Sequence, residues 1–332
     1  MRNLARLAAA LALGALAAGA QAQQFTMKLS TPTNNDVTVE WMKAFKAGVE
    51  ARAGGRIKVE IYPASQLGPI PRTVEGVALG TIELTAPAVG FMIGLEPRFQ
   101  VFDAPGLFDS VAHAQKVLTD PEIKRRLATF GEAKGVEPLF TFVNGPLMLL
   151  SHKPIRSLAD FKGQKIRVPG AAPLQVEPFK QLGASPVSMP LGEVLPAMQN
   201  RAIDGLIAGF VIYVAFKYYD VAKGLTQLPG SFLVAAGLVN RKFMKSLGPE
   251  LEAIVRDEAR KAEDLFATRG VEDLKRIQGA WEKNGGETIT LAPAQAARYI
   301  EQTTSVLPPI LAKDLQLKAD YDALVAAARK HR

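Results

Sequence analysis

The side chain with the most definite chemistry is Arg167, in the stretch GQKIRVPG from Gly163 to Gly170. Ile166 and Val168 alternate with Lys165 and Arg167, the two-residue period of a half-buried strand. Pro169 and Gly170 stop that strand, because proline donates nothing to a ladder and glycine suits a tight turn. Arg167 therefore falls at the carboxyl end of a strand, where open α/β sheets place their ligands. A guanidinium there presents a planar fork of N–H donors that matches a carboxylate with two parallel hydrogen bonds. Many strand-end arginines are merely solvated or paired for structure, so the rest of the chain has to decide between the two.

Bond-making chemistry is not signalled. The 332 residues include no cysteine and only three histidines, His113, His152 and His331, far apart in sequence. Without cysteine there is no disulfide, thiolate metal site or cysteine nucleophile. The chain has no glycine-rich phosphate loop, no Gly-x-Ser-x-Gly elbow and no His-x-x-x-His pair. Paired carboxylates working as acid and base leave no trace at this level, and nothing points to them. No cofactor and no metal ion is expected. The formal charge of +8 falls to +6 without Arg2 and Arg6, and the remaining basic residues are scattered. A nucleic-acid surface is therefore not expected, although a mildly basic protein attracts anions.

The elements that carry Arg167 read as a layered α/β protein. Phe25–Leu29 alternates as a first strand, and TPTNND at 31–36 caps a helix in which Trp41, Phe45 and Val49 recur at helical spacing. Asn34 and Asn35, in that turn, are candidates for a pocket rim. Ile57–Tyr62 and Ile82–Thr85 are further strands separated by a helix, so the chain opens strand–helix–strand–helix–strand, the pattern of a parallel sheet. Val89 and Gly90, just beyond the third strand, are candidate pocket residues. His113, on a later helix, reads as a surface or capping residue. Leu139–Val143 and Leu147–His152 read as strands interrupted by Asn144-Gly145-Pro146. After Arg167 come a helix over 174–182, another over 192–201 and a buried strand over 202–208. The aromatic run that follows is mostly core, with Phe210 and Tyr213 placed just past the strand end to line a pocket.

Pro249 to Asn284 is one helical stretch of about 36 residues, about 54 Å long. Its apolar stripe includes Leu251, Val255, Phe266, Ile277 and Trp281, and Gly270 marks a bend. A helix of that length exceeds one ordinary domain, and the chain length favours two domains. At the amino end, Arg2 and Arg6 precede an apolar run from Leu7 to Ala18 and the small-residue site Ala20-Gln21-Ala22. This is the pattern of a cleaved signal peptide over 1–22, too short for a membrane span. The mature chain is expected to start at Gln23 and, lacking a lipid-bearing cysteine, to be free in the periplasm.

Four stretches taken in order carry a family resemblance: GGRIKVEIYPASQLG at 54–68, KPIRSLADFKGQKIRVPG at 153–170, LGASPVSMPLGEVLPAMQNRAIDG at 182–205, and the long helix. The chain resembles the periplasmic solute-binding subunits of TRAP (tripartite ATP-independent periplasmic) transporters. The resemblance implies a two-lobed periplasmic binding protein fold of α/β class, with crossing strands between the lobes and the long helix spanning both. The expected division is residues 23–144 plus about 233–270 in lobe I, and 145–232 plus about 271–332 in lobe II. It also implies a cleft ligand, a membrane permease as partner, and binding without turnover, by a monomer whose lobes close about the crossing strands and Gly270.

The family's carboxylate-gripping arginine falls on Arg167. Other family positions depart from the pattern. The ligand-contacting asparagine of Asp-Gly-Gln-Glu-Asn is replaced by Ala208, after Asp204-Gly205-Leu206-Ile207. A second arginine, found in binders of acidic sugars, falls on Leu147, and an aromatic before the Ser-Glu pair falls on Leu191. Each change removes a polar partner, and a buried hydroxyl left unpaired costs about 1–3 kcal/mol. The expected ligand is a monocarboxylate with an apolar remainder rather than a sugar acid. A binding protein of another importer class, and an exported enzyme on a similar scaffold, are the alternatives.

Overall fold

The computed structural model describes residues 25–34 and 36–332. The leader reading over 1–22, the start at Gln23 and the rim candidate Asn35 lie outside the described residues.

The amino-terminal half contains β1 (Phe25–Ser30), α1 (Val37–Arg52), β2 (Ile57–Tyr62), α2 (Ile70–Leu79), β3 (Leu84–Thr85), α3 (Val111–Leu118), α4 (Pro121–Leu127) and the long strand β4 (Val136–Ser151). Then come β5 (Lys165–Val168), α5 (Pro173–Gln181), β6 (Ser185–Ser188), α6 (Leu191–Gln199), β7 (Gly205–Gly209), α7 (Phe210–Ala215) and the second long strand β8 (Gly224–Asn240). The chain ends with α8 (Arg241–Ser246), α9 (Gly248–Lys283), β9 (Glu287–Ile289), α10 (Pro293–Thr304), α11 (Leu307–Leu311) and α12 (Leu315–His331).

Parallel pairs β1–β2 and β1–β3 form one end of the sheet, and parallel pairs β5–β6 and β5–β7 form the other. Antiparallel β4 and β8 run through both ends and join them, in the order β2-β1-β3-β8-β4-β7-β5-β6 with β9 on β8. The result is two α/β lobes that share two continuous strands. The predicted interruption at Asn144-Gly145-Pro146 is instead an irregularity inside β4, with register shifts on either side of Pro146. Pro146 has no N–H to donate and Gly145 sits at φ 110, so the ladder slips there without ending.

Packing explains why the long helix bridges the molecule. Leu251, Val255, Ala259 and Phe266 of α9 enter one core with Trp41, Phe45, Phe140 and Phe142. Farther along, Ile277 and Trp281 enter another with Tyr213, Tyr218 and Leu206. The helix runs unbroken through Gly270. Arg52 of α1 is held at 2.7 Å from Asp257 and 2.6 Å from Glu258, an ion-pair anchor at one end of the brace.

His113 is buried, contrary to the surface reading. Its Nε2 lies 2.9 Å from the Ala328 carbonyl oxygen, while Ser110 caps its helix. Asp120 draws in Lys330 Nζ at 2.8 Å and His331 Nε2 at 2.9 Å. These contacts seat α12 against α3 and α4, segments that the sequence division assigns to lobe I, although it assigns α12 to lobe II.

Candidate functional site

Arg167 comes to its place through β5. The strand is short because Pro169 ends it, and it is held on both sides, with Arg167 opposite Val187 of β6 and Leu206 of β7. Asp204 accepts the Lys165 N–H at 2.7 Å and fixes the start of the strand against β7. The side chain then turns inward and is 1% exposed. Its Nε donates to the Met189 carbonyl at 2.9 Å and its Nη1 to the Ile207 carbonyl at 3.2 Å. The Phe91 ring lies 5.7 Å from the guanidinium carbon, within cation–π range.

Two of the three guanidinium nitrogens are thus clamped by the protein, and the third is not. Nη2 is buried with no hydrogen-bond partner. Among the described residues no carboxylate forms an ion pair with Arg167. Burial depresses its pKa to about 10, and at neutral pH it is a full positive charge. An unneutralised buried cation costs several kcal/mol, a cost that an anion entering beside Nη2 would relieve.

Arg167 opens into a cavity of about 50 Å³. Ile70, Ala86, Ala88, Phe91 and Phe142 line it from one lobe, Pro169, Leu191, Ala208 and Ile212 from the other, and Leu233 and Ala235 from β8. Thr33, Thr38 and Asn144 are the uncharged polar residues in the wall, and Arg167 is the one cation among the lining residues. Beyond it lies a wider cleft of about 500 Å³ that shares Pro32 and Leu191 with the inner cavity. Asn34, Ala64 and Ser65 form one side of this cleft, Gly192, Val211 and Phe216 another, and Arg276 and Ile277 of α9 a third. The left-handed turn at Ala64 and Ser65 is pinned by their N–H groups to the Thr33 and Thr31 carbonyls, which holds the 31–34 loop over the entrance.

The candidates named from sequence divide. Arg167, Leu191 and Ala208 line the inner cavity, and Asn34 lines the outer cleft. Leu147 does not, because the alternation of β4 turns it to the opposite sheet face, into a separate cavity of about 30 Å³ with Asp103, Gln175 and Tyr299. Tyr213 stands outside the wall, its hydroxyl donating to the Met148 and Leu206 carbonyls at 2.7 and 2.9 Å. Phe210 packs in the apolar core, as α7 starts immediately after β7 and carries it inward. Val89 is fully buried beside it, and Gly90 faces Gln175 rather than the cavity. Thr38, Phe91, Phe142, Asn144, Leu233 and Ala235 were not foreseen. Only Asn144 carried a usable signal, a polar residue at the one break between two apolar strand segments.

Gly90 and Gly170 meet where the lobes touch. A Cβ on Gly170 would lie 2.3 Å from the Gly90 carbonyl oxygen, and one on Gly90 would lie 2.5 Å from Gln175 Nε2. Gln175 Oε1 accepts the Gly170 N–H at 2.6 Å, and the backbone of Gly90 leaves no room for a side chain at Gly170.

A buried, incompletely paired arginine thus lies between two lobes that share crossing strands, and comparison with known proteins shows which family has this fold. The profile for bacterial extracellular solute-binding protein, family 7 (DctP), matches residues 30–314. The chain belongs to this family. It is 29% identical over 249 residues to the 2,3-diketo-L-gulonate-binding periplasmic protein YiaO of Escherichia coli, covering 75% of each chain. It is 28% identical over 325 residues to the C4-dicarboxylate-binding periplasmic protein DctP of Vibrio cholerae, covering 95% of this chain and 94% of the other. A crystal structure of a TRAP periplasmic solute-binding protein from Shewanella oneidensis with bound succinate superposes with a TM-score of 0.82. Its sequence is 26% identical, and the alignment covers 92% of this chain and 99% of that one. This solute-binding protein therefore has the two-lobed fold of the TRAP receptors.

Proposed function

We propose that this protein is a periplasmic receptor that captures a small organic acid, a monocarboxylate with an apolar remainder, and delivers it to a TRAP-type membrane permease. The observation that carries the reading is the unpaired Nη2 of a buried Arg167 at the wall of an otherwise apolar cavity. The acid enters through the outer cleft, and its carboxylate accepts from the Nη2 that the clamped Nε and Nη1 leave open. The lobes then close at Gly90 and Gly170. Closure excludes water, which strengthens the ion pair because the local dielectric falls. No bond is made or broken, and release follows reopening about β4 and β8.

The ligand is expected to be smaller and less polar than those of the relatives. A dicarboxylate such as succinate would bring a second negative charge into a wall whose only cation is already engaged. A sugar acid would bring several hydroxyls to face Ile70, Leu191, Ala208 and Leu233. Each hydroxyl left unpaired costs about 1–3 kcal/mol. Calorimetry against a panel of monocarboxylates, succinate and hexuronates tests this. Micromolar or tighter binding of a monocarboxylate is expected, and tight binding of succinate or a hexuronate with none for monocarboxylates overturns the proposed ligand class.

A further inference from the structure

We infer that capture of the acid is coupled to uptake of one proton by Asp103, a carboxyl group enclosed where the lobes meet, so that the receptor holds its ligand more tightly as the pH falls. This rests on the reading of the chain as a receptor whose lobes close on a carboxylate. Asp103 ends the helical turn Pro97–Asp103 and lines the cavity of about 30 Å³ that also receives Leu147. The walls of that cavity come from both sides of the crossing strands: Phe102 to Pro105 precede β4, while Gln175 and Phe179 belong to α5 and Tyr299 to α10. Gln175 links the two sides. Its Oε1 accepts the Gly170 N–H within its own lobe, and its side chain also hydrogen-bonds Asp103 and stands beside Gly90 across the gap. The cover over the carboxyl is therefore part of the contact that forms when the lobes meet.

Under that cover the carboxyl is poorly provided for as an anion. Asp103 is half-buried overall, but its Oδ2 is enclosed without a hydrogen-bond partner, and Gln175 offers one bond as a neutral amide. Among the described residues lining the cavity none is a cation. Tyr299 is the only other titratable one, and burial pushes its phenol up to about 12, so it is neutral throughout. The lining from β4, β7 and β8 is apolar apart from Ser231. A charge with one neutral donor and no water is disfavoured against the protonated acid, and burial holds the closed-form carboxyl at about 7. When the lobes part, Gln175 withdraws with α5 and water reaches the group, returning its pKa toward the ordinary value near 4. A carboxyl whose pKa rises on closing makes closing easier as pH falls. The effect is almost absent at pH 8 and reaches about tenfold at pH 6, and Arg167 stays charged across that range.

The test is calorimetry of the mature full-length protein with acetate, pyruvate, butyrate and benzoate at pH 6, 7 and 8, in phosphate and in imidazole buffer, repeated with Asp103→Asn. The acid that binds tightest is expected to lose about tenfold in affinity from pH 6 to pH 8. The two buffers differ in heat of ionisation, and that difference is expected to show about one proton taken up per acid bound at pH 6 and almost none at pH 8. Asp103→Asn is expected to abolish both effects, its affinity at every pH staying near that of the unmodified protein at pH 6. Equal affinity at pH 6 and pH 8 without proton uptake, or a pH dependence that survives in Asp103→Asn, overturns the coupling and leaves the receptor reading standing. Binding of none of the four acids at any pH overturns both. Asp103→Ser, neutral and smaller, gives the same answer should Asp103→Asn fail to fold.

Discussion

Replacing Arg167 with methionine separates the receptor reading from a structural one, because the two predict opposite balances of stability and binding. Methionine keeps most of the volume of the side chain and removes its charge. In the ligand-free protein the buried charge is a burden. Burial holds its pKa at about 10, below the usual arginine range, a penalty of about 3 kcal/mol at about 1.36 kcal/mol per pKa unit. The group is a base with a depressed folded-state pKa, so this penalty is fully present at neutral pH and lifts only as pH rises through 10. Against its removal stands the loss of the bonds to the Met189 and Ile207 carbonyls, about 1 kcal/mol each. The two nearly cancel, so the melting temperature of ligand-free Arg167→Met is expected within a few degrees of the original. Binding behaves differently. A buried carboxylate that loses its partner costs about 3–5 kcal/mol, or roughly two to three and a half powers of ten in affinity. At a ligand concentration of about 100 times Kd the unmodified protein gains about 2.7 kcal/mol in stability, and the variant at the same concentration is expected to gain almost nothing. Calorimetry gives the affinity, and melting curves with and without the acid give both stabilities. Unchanged affinity, or a collapse of the ligand-free melting temperature by more than about 10 °C, would show Arg167 to be a structural clamp and refute the reasoning.

Three further predictions follow from the surrounding structure. Gly170→Ala places a Cβ 2.3 Å from the Gly90 carbonyl oxygen, so the closed form is disfavoured while the lobes stay folded. Affinity is expected to fall about tenfold or more, with a larger radius of gyration in solution scattering in the presence of ligand. Burial raises the Asp103 carboxyl to about 7, with Gln175 opposing the shift. An acid with a raised folded-state pKa loses stability as pH rises between its unfolded value near 4 and 7, and Asp103→Asn escapes that loss. The gain of the variant over the original is therefore expected to grow by about 1–3 kcal/mol between pH 4 and pH 8 in denaturant titrations, and a pH-independent difference would contradict it. Hydrogen bonds from Lys330 and His331 hold Asp120 well below the usual carboxylate range. Asp120→Asn keeps the cap on Glu122 N–H and removes the charge, so it is expected to cost about 1–2 kcal/mol at pH 7. That cost shrinks as pH falls below the ordinary carboxylate value near 4, because the unfolded chain then takes up a proton that the paired native carboxylate resists, and a series of melts from pH 7 to pH 3 would follow it.

Much of the frame was legible because it rests on local periodicity. The alternation in Ile57–Tyr62 and Lys165–Val168 and the stripe along Gly248–Lys283 depend only on neighbours in the chain. The break at Asn144-Gly145-Pro146 was misjudged as an end of a strand, since a proline signals a lost donor but not whether the partner strand continues past it. Here β8 continues, and it carries β4 across the gap. His113 was misjudged for a related reason: the residue that buries it, Ala328, is 215 positions away.

By itself the sequence determined that the chain is an α/β protein with a strand-end arginine, no thiol chemistry and a helix too long for one domain. These are consequences of residue type and spacing, and they hold whatever the elements later touch. Only the tertiary structure decided that Arg167 is buried with Nη2 free, that Leu147 faces away from it, and that Asn144, Phe91 and Leu233 surround the same space. The reason is physical. A cavity is made by side chains from strands and turns that are distant in sequence, and which of two sheet faces a residue occupies depends on a register that β4 and β8 set together.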